Sequence, residues 1–188
     1  MTALLSISAD SKTVKGEKLG YLTAVQYLLP GKLSGVEFCP NRTKECFAVC
    51  LGEHSGRMPM KANKNARAVR SELWNTDKPA YWQKLRKELA SFVRKAERAG
   101  LLAAYRPNGS SDIHWENYDE FLQIMSDFPT ITVYDYTKAL PHERTRVQGY
   151  DLTYSYTGEE SEAELNEKVA SGRLAIVFST KKGEALPV

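Results

Sequence analysis

Hydrophobic positions change period several times along this chain. Tyr21 to Leu29 (YLTAVQYLL) is aromatic and β-branched and runs into Pro30-Gly31, the pattern of a strand closed by a turn. A polar loop follows from Lys32 to Glu45. Ala62, Ala66, Val69 and Leu73 keep helical spacing over 60–75. The clearest helix is 80–99. There Tyr81, Leu85, Leu89, Phe92 and Ala96 form one stripe, with Lys84, Lys87, Arg94 and Arg98 off it. Gly100 suits the position just past a helix end.

The second half alternates. Leu101 to Tyr105 is a short apolar strand, and Arg106-Pro107-Asn108-Gly109-Ser110-Ser111 is turn chemistry. Trp115 to Ser126 predicts a helix, Thr130 to Tyr134 a strand, and Leu152 to Tyr156 a weaker strand. Ser161 and Glu164 form a capping-box pattern that opens a helix ending at Ser171-Gly172. Leu174 to Phe178 is the last strand. Strands alternating with helices predict an α/β fold, as a partial parallel (β/α) barrel or an open parallel sheet flanked by helices. Ligand sites in such sheets lie beyond the carboxyl ends of the strands. Those segments here are 31–57, 106–114, 135–142, 155–160 and 179–183.

Length and composition narrow the choice. At 188 residues the chain fits one α/β domain over 1–188, with a cysteine-bearing loop at about 31–57. A full eight-fold barrel needs about 250 residues. Hydrophobic residues at 42% and charged residues at 26% match a globular chain rather than a disordered one. No apolar run approaches the roughly 20 residues of a membrane span. The start, MTALLSISADSK, has no basic stretch followed by a long apolar one, so no secretory signal is expected. The expected location is the cytoplasm.

All three cysteines, Cys39, Cys46 and Cys50, fall in one short stretch spaced C-x6-C-x3-C. An odd, clustered set without an export signal predicts ligands or redox groups rather than a disulfide framework. A continuous helix over 43–54 would put Cys46, Cys50 and His54 on one face, with Cys39 folding back from the loop. Two metal readings follow. Three thiolates can hold a [4Fe–4S] cluster with one iron open to a small ligand, or Cys39, Cys46, Cys50 and His54 can complete a Cys3His zinc site. Buried, inert thiols are the bland alternative. The polar run from Pro40 to Glu45 argues against it. A catalytic thiol paired with His54, His114 or His142 would leave two cysteines unexplained.

Several stretches together resemble a known family. They are KTVKGEKLGYLTAVQYLLPGKLSG, CPNRTKECFAVC with LGEHSGR, RPNGSSDIHWEN, TVYDYTK, YDLTYSYT and LAIVFS. They are similar to a family of small bacteriophage and plasmid proteins labelled gene-product-88-like. The resemblance covers roughly residues 12–180. That family looks in turn like a reduced relative of the radical S-adenosylmethionine superfamily. The likeness implies Cys39, Cys46 and Cys50 as cluster ligands, S-adenosylmethionine as a cofactor at the open iron, and host cytoplasm as the location. Two features depart from the superfamily. Its usual spacing is C-x3-C-x2-C, and its Gly-Gly-Glu stretch is replaced here by Asn108-Gly109-Ser110-Ser111-Asp112. The likeness therefore reaches cluster binding further than cofactor binding.

Asn108, Ser111, Asp112 and Lys138 are the expected pocket residues, since each follows a strand. Arg106, Ser110, Asp135, Tyr136 and Thr137 share those segments, with Ser155 and Ser179 as weaker candidates. Capping of the next helix is the competing role for Ser111 and Asp112. His114 and His142 read as capping or surface residues. Charge is uneven: residues 57–98 hold twelve Lys/Arg against four Asp/Glu, a net of +8, which leaves −5 for the rest of a +3 chain. Arg57, Lys61, Lys64, Arg67 and Arg70, with Trp74 behind them, form a basic stretch with an aromatic that could bind nucleic acid or, in a non-catalytic protein with a structural zinc site, a host protein. A solvated helix face is the commoner meaning of such a run. No phosphate loop, Rossmann fingerprint or nucleophile elbow is present.

Overall fold

The structure is a computed structural model and describes residues 2–8 and 11–176. A six-stranded sheet runs in chain order, β1 (Leu5–Ile7), β2 (Tyr21–Gln26), β3 (Leu102–Arg106), β4 (Thr132–Thr137), β5 (Tyr150–Ser155) and β6 (Leu174–Ala175). β1 is antiparallel to β2. Every pairing from β2 to β6 is parallel, with Tyr21 opposite Leu102, Ala104 opposite Thr132, Val133 opposite Tyr150 and Tyr154 opposite Leu174. The sheet is open, so the second form of the α/β expectation holds. All its parallel crossovers step the same way, and right-handed crossovers that do so place their helices on one face. No reversal of strand order exists to open a crevice, so a site must be built by the loops at the carboxyl ends.

The connection from β2 to β3 is the longest. It carries two short helices, α2 (Lys44–Ala48) and α3 (Leu51–His54), and two long ones, α4 (Lys61–Thr76) and α5 (Lys78–Arg98). Asp77 caps α5 by accepting the Ala80 N–H at 2.9 Å, and Pro79 sits in the first turn, where a missing N–H is harmless. The predicted stripe of Tyr81, Leu85, Leu89, Phe92 and Ala96 is buried against the sheet, joined by Trp82. Gly100 takes φ +66°, the left-handed conformation that ends the helix. Trp74, Tyr81, Trp82, Trp115 and Tyr118 pack ring edge on ring face, with Trp74 centroids 5.0–5.3 Å from the other four.

The α4 stripe is not the predicted one. Ala62 and Val69 are exposed, and the buried residues are Arg67, Arg70, Ser71 and Trp74. The helix buries a polar row because neighbouring backbone needs donors. Arg67 donates to Gly52 O, and to Met58 O at 2.9 Å; Arg70 donates to Ala3 O at 2.7 Å. Ser71 Oγ accepts the Leu29 N–H at 2.9 Å. These contacts also explain why β2 stops at Gln26 and not Leu29: Tyr27 O and the Leu29 N–H bond to α4 instead of to a strand.

Two elements were not expected, β1 and α1 (Ser11–Glu17). A three-residue strand and a polar helix leave little periodicity to read. The predicted helix from Trp115 begins as a 3-10 turn over Trp115–Asn117, then continues as α6 (Asp119–Asp127). α7 (Glu162–Ala170) carries the expected reciprocal bonds between Ser161 and Glu164. Val177 and Phe178 of the predicted last strand, with Ser179 and segment 179–183, lie outside the described residues.

Candidate functional site: the cysteine loop

The cysteine loop leaves the carboxyl end of β2 and folds back on itself. Phe38 N–H donates to Gly31 O at 3.0 Å, and Gly31 N–H points at Cys39 Sγ, 3.3 Å away. Gly31 has φ +57°, and a Cβ there would stand 3.0 Å from the Phe47 ring of α2. Glycine answers both demands. Glu37 Oε1 accepts the Cys39 N–H at 2.8 Å, and its other oxygen pairs with Arg42. Thr43 caps α2 by accepting the Cys46 N–H at 3.0 Å.

The continuous helix over 43–54 does not form. α2 ends at Ala48, and Cys50 takes an extended ψ of 116° as the residue that opens α3. His54 is exposed at the end of α3. The break removes the common face that was to align Cys46, Cys50 and His54.

The loop after β3 locks onto the cysteine loop. Gly109 donates to Gln26 O at 2.9 Å, and a Cβ on it would fall 2.6 Å from three atoms of Val25, Gln26 and Tyr27. Only glycine passes there. Ser110 Oγ donates to Leu28 O at 2.5 Å, and Asp112 N–H donates to Phe38 O at 2.7 Å. Ser110 stands between two of the thiols: Cys39 Sγ lies 4.0 Å from its carbonyl oxygen, and a Cβ on Gly52 would touch both Ser110 Cβ (2.9 Å) and Cys50 Sγ (3.5 Å).

The thiols share an electrostatic environment. Burial pushes the Cys39 thiol up to about 12; the Gly31 N–H opposes this, while Asp112, Cys50 and Glu37 add to it. Burial also raises Cys46. There Lys138 and Arg42 pull down, and Cys50 and Asp112 push up. Cys50 and Asp112 therefore act on both of the other cysteines, and Lys138 on Cys46. Among the described residues, no group of three or more His, Cys, Asp or Glu side chains is placed to hold a metal ion as it stands.

The expected pocket residues divide into two kinds. Asn108 is buried, and its side chain is committed. Oδ1 accepts from Ser111 Oγ (2.8 Å), Ile113 N (3.0 Å) and Trp115 Nε1 (2.9 Å), while Nδ2 donates to Ile113 O at 2.9 Å. Ser111 is committed through the same contact. Asp112 is different. Its Oδ2 accepts the Lys138 N–H at 2.9 Å, but its buried Oδ1 has no hydrogen-bond partner and lies 3.5 Å from Arg144 Nη1. Burial raises the Asp112 carboxyl, against the pull of the Lys138 N–H and Thr137.

Asp135 is fully buried. Its Oδ2 accepts from Asn108 N at 2.9 Å and Tyr150 Oη at 3.1 Å, and Oδ1 is 3.5 Å from Arg106 Nε. Burial lifts its carboxyl to about 7, against the pull of Arg106. Arg106 also lies over the Tyr136 ring, 4.9 Å from its centroid. Thr137 Oγ1 accepts the Ala139 N–H at 3.1 Å. Ser155 contributes its carbonyl, which accepts from Lys168 Nζ at 2.9 Å. His114 Nε2 meets Asn41 Oδ1 at 3.1 Å, and exposed His142 meets Glu167 at 2.9 Å.

Three residues of this region were missed. Arg144 forms a buried two-point pair with Glu116, which sits 28 residues earlier, and Lys168 ties the loops after β4 and β5 together. None of the three carries a local signal, because their partners are distant in sequence. The basic stretch, in turn, loses part of its surface. Arg67, Arg70 and Trp74 are buried, Lys64 pairs with Glu53 at 3.0 Å and Lys84 with Glu88 at 3.1 Å. No helix among the described residues is long and apolar enough to cross a membrane.

Fold and site define an α/β protein whose mostly parallel sheet carries a three-thiol loop at its carboxyl ends, braced by a buried polar network. The chain belongs to the gene product 88 family, whose family model matches residues 3–188. No curated protein and no solved structure matches it.

Proposed function

We propose that Cys39, Cys46 and Cys50 hold a [4Fe–4S] cluster whose fourth iron is left for a small ligand. The observation that carries this reading is the company of the thiols: Cys39 Sγ lies 4.0 Å from Ser110 O, and Gly52 packs against both Ser110 and the Cys50 sulfur. Thiolates are the soft donors that iron–sulfur iron prefers. When bound, the cluster would supply one-electron reduction to a ligand on its open iron.

The chain's own residues have definite parts in this scheme. The Gly31 N–H stabilises negative charge on Cys39 Sγ. The Lys138 ammonium offsets the charge of the Cys46 thiolate. Asp112 Oδ1 accepts no hydrogen bond and is held only by the Arg144 guanidinium 3.5 Å away, which leaves it an acceptor for a cationic ligand group. Asn108 and Ser111 hold the loop rather than touch a ligand. The thiols are neighbours but not a finished ligand set, so loading draws residues 39–54 together about the break at Val49–Cys50. S-adenosylmethionine, with its ammonium on Asp112 and carboxylate on Lys138, rests on the superfamily resemblance alone. A Cys3His zinc site draws less support, because His54 is exposed beyond that break.

Anaerobic reconstitution with iron and sulfide, followed by absorption and EPR spectroscopy, tests the reading. A brown protein whose reduced signal changes on adding S-adenosylmethionine would support both steps. A brown protein with an unchanged signal would retain the cluster and remove the cofactor. A colourless protein would overturn the proposal.

A further inference from the structure

A cleft of about 290 Å³ adjoins the cysteine-bearing segment but does not include the thiols. Phe38 lines it on one side, Asn75 and Lys78 at the corner between α4 and α5, and His114, Asn117 and Tyr118 on the other. It falls just below the ~300–1,000 Å³ usual for small-molecule sites.

Its chemistry is unevenly satisfied. Lys78 Nζ has no carboxylate partner among the described residues. It rests over two aromatic faces, 5.0 Å from the Trp74 centroid and 5.4 Å from that of Tyr118. Asn75 Nδ2 donates to Ser34 O at 3.0 Å, but its buried Oδ1 has no partner. Asn41 Nδ2 donates to Glu143 Oε2, which can only accept. Asn41 Oδ1 therefore faces His114, so His114 Nε2 carries the proton and Nδ1 is left as an acceptor. The Glu37 carboxylate on the same wall is paired with Arg42 and adds little repulsion for an anion.

A free imidazole acceptor, a buried amide oxygen without a partner, an aromatic wall and a cation without a carboxylate ask for a flat ring bearing N–H groups and an attached anion. We propose that this cleft binds a nucleoside monophosphate whose base carries an exocyclic amine. The amine donates to His114 Nδ1, and to Asn75 Oδ1 once that side chain turns toward the cleft; the base lies along Tyr118, and the phosphate draws Lys78 off the rings. The site is independent of any cluster, so it is tested on the protein with or without metal.

Tryptophan fluorescence titration with AMP, adenosine and inorganic phosphate separates the contributions. AMP should give a saturable change, adenosine a weaker one, and phosphate none at equal concentration. Lys78→Gln, which keeps the side-chain stem, should weaken AMP about tenfold and leave adenosine unchanged. Asn75→Ala should weaken both. Thermal melting checks that the variants fold, and competition by excess AMP on a fluorescent analogue repeats the test if the intrinsic signal is silent. No saturable AMP binding by either readout, phosphate competing as well as AMP, or an unchanged Lys78→Gln variant would each overturn the proposal.

Discussion

The backbone N–H of Asn108 donates to Asp135 Oδ2 at 2.9 Å, tying the loop after β3 to the end of β4. The Asn108 side chain then gathers Ser111, Ile113 and Trp115 on a single oxygen. Asn108→Ala strands three buried donors, each costing about 1–3 kcal/mol when left unmade. The expected loss is about 3 kcal/mol or more, read as a lower urea midpoint with an unchanged slope.

Asp135 gives stability a pH dependence. Its carboxyl is raised from the ordinary carboxylate value to about 7, burial being the main cause. The folded state therefore holds the proton more tightly than the unfolded chain does. This contribution is fully present below the unfolded value near 4 and is lost as pH rises through about 7. Urea denaturation from pH 4 to 8 should show it, on the order of a few kcal/mol. Asp135→Asn should remove that part of the slope.

Lys168 acts in the opposite direction. Its buried ammonium meets Glu160 Oε1 at 2.5 Å and Ser155 O at 2.9 Å. Burial alone would raise Glu160, but Lys168 and Thr157 hold it down at about 2. That stability is present above the unfolded glutamate value and is lost as pH falls toward 2. Lys168→Met leaves the mostly buried Glu160 unpaired and should cost about 3 kcal/mol near pH 7. Adding Glu160→Leu should recover most of the loss.

The thiols should differ in reactivity, since only the thiolate attacks. Cys39, at about 12, should alkylate far more slowly than Cys46 with iodoacetamide near pH 8. Lys138→Ala removes the cation that opposes the rise of Cys46 and should slow that residue severalfold. Mass spectrometry of timed samples reads both effects.

What the sequence discloses follows from distance along the chain. The α5 stripe, the Ser161–Glu164 capping box and the parallel order of strands are written in local spacing, and the structure has them. The meeting of the cysteine loop with 108–112 was legible because both follow parallel strands. The buried arginines of α4 were not, because Arg67 and Arg70 serve carbonyls of residues outside the helix. The break at Cys50 was equally hidden: Ala48-Val49-Cys50 holds no glycine or proline, and the nearby Gly52 sits inside α3. Arg144 and Lys168 become visible only once β4, β5 and α7 are assembled.

The central claim is that three thiolates, and not His54, form the metal site. Iron, sulfide and zinc analysis of anaerobically purified protein addresses it most directly, alongside Cys39→Ser, Cys46→Ser, Cys50→Ser and His54→Ala. The account predicts roughly four iron and four sulfide per chain, lost in each cysteine variant and retained in His54→Ala. One zinc per chain without sulfide, lost when His54 is replaced, would contradict it.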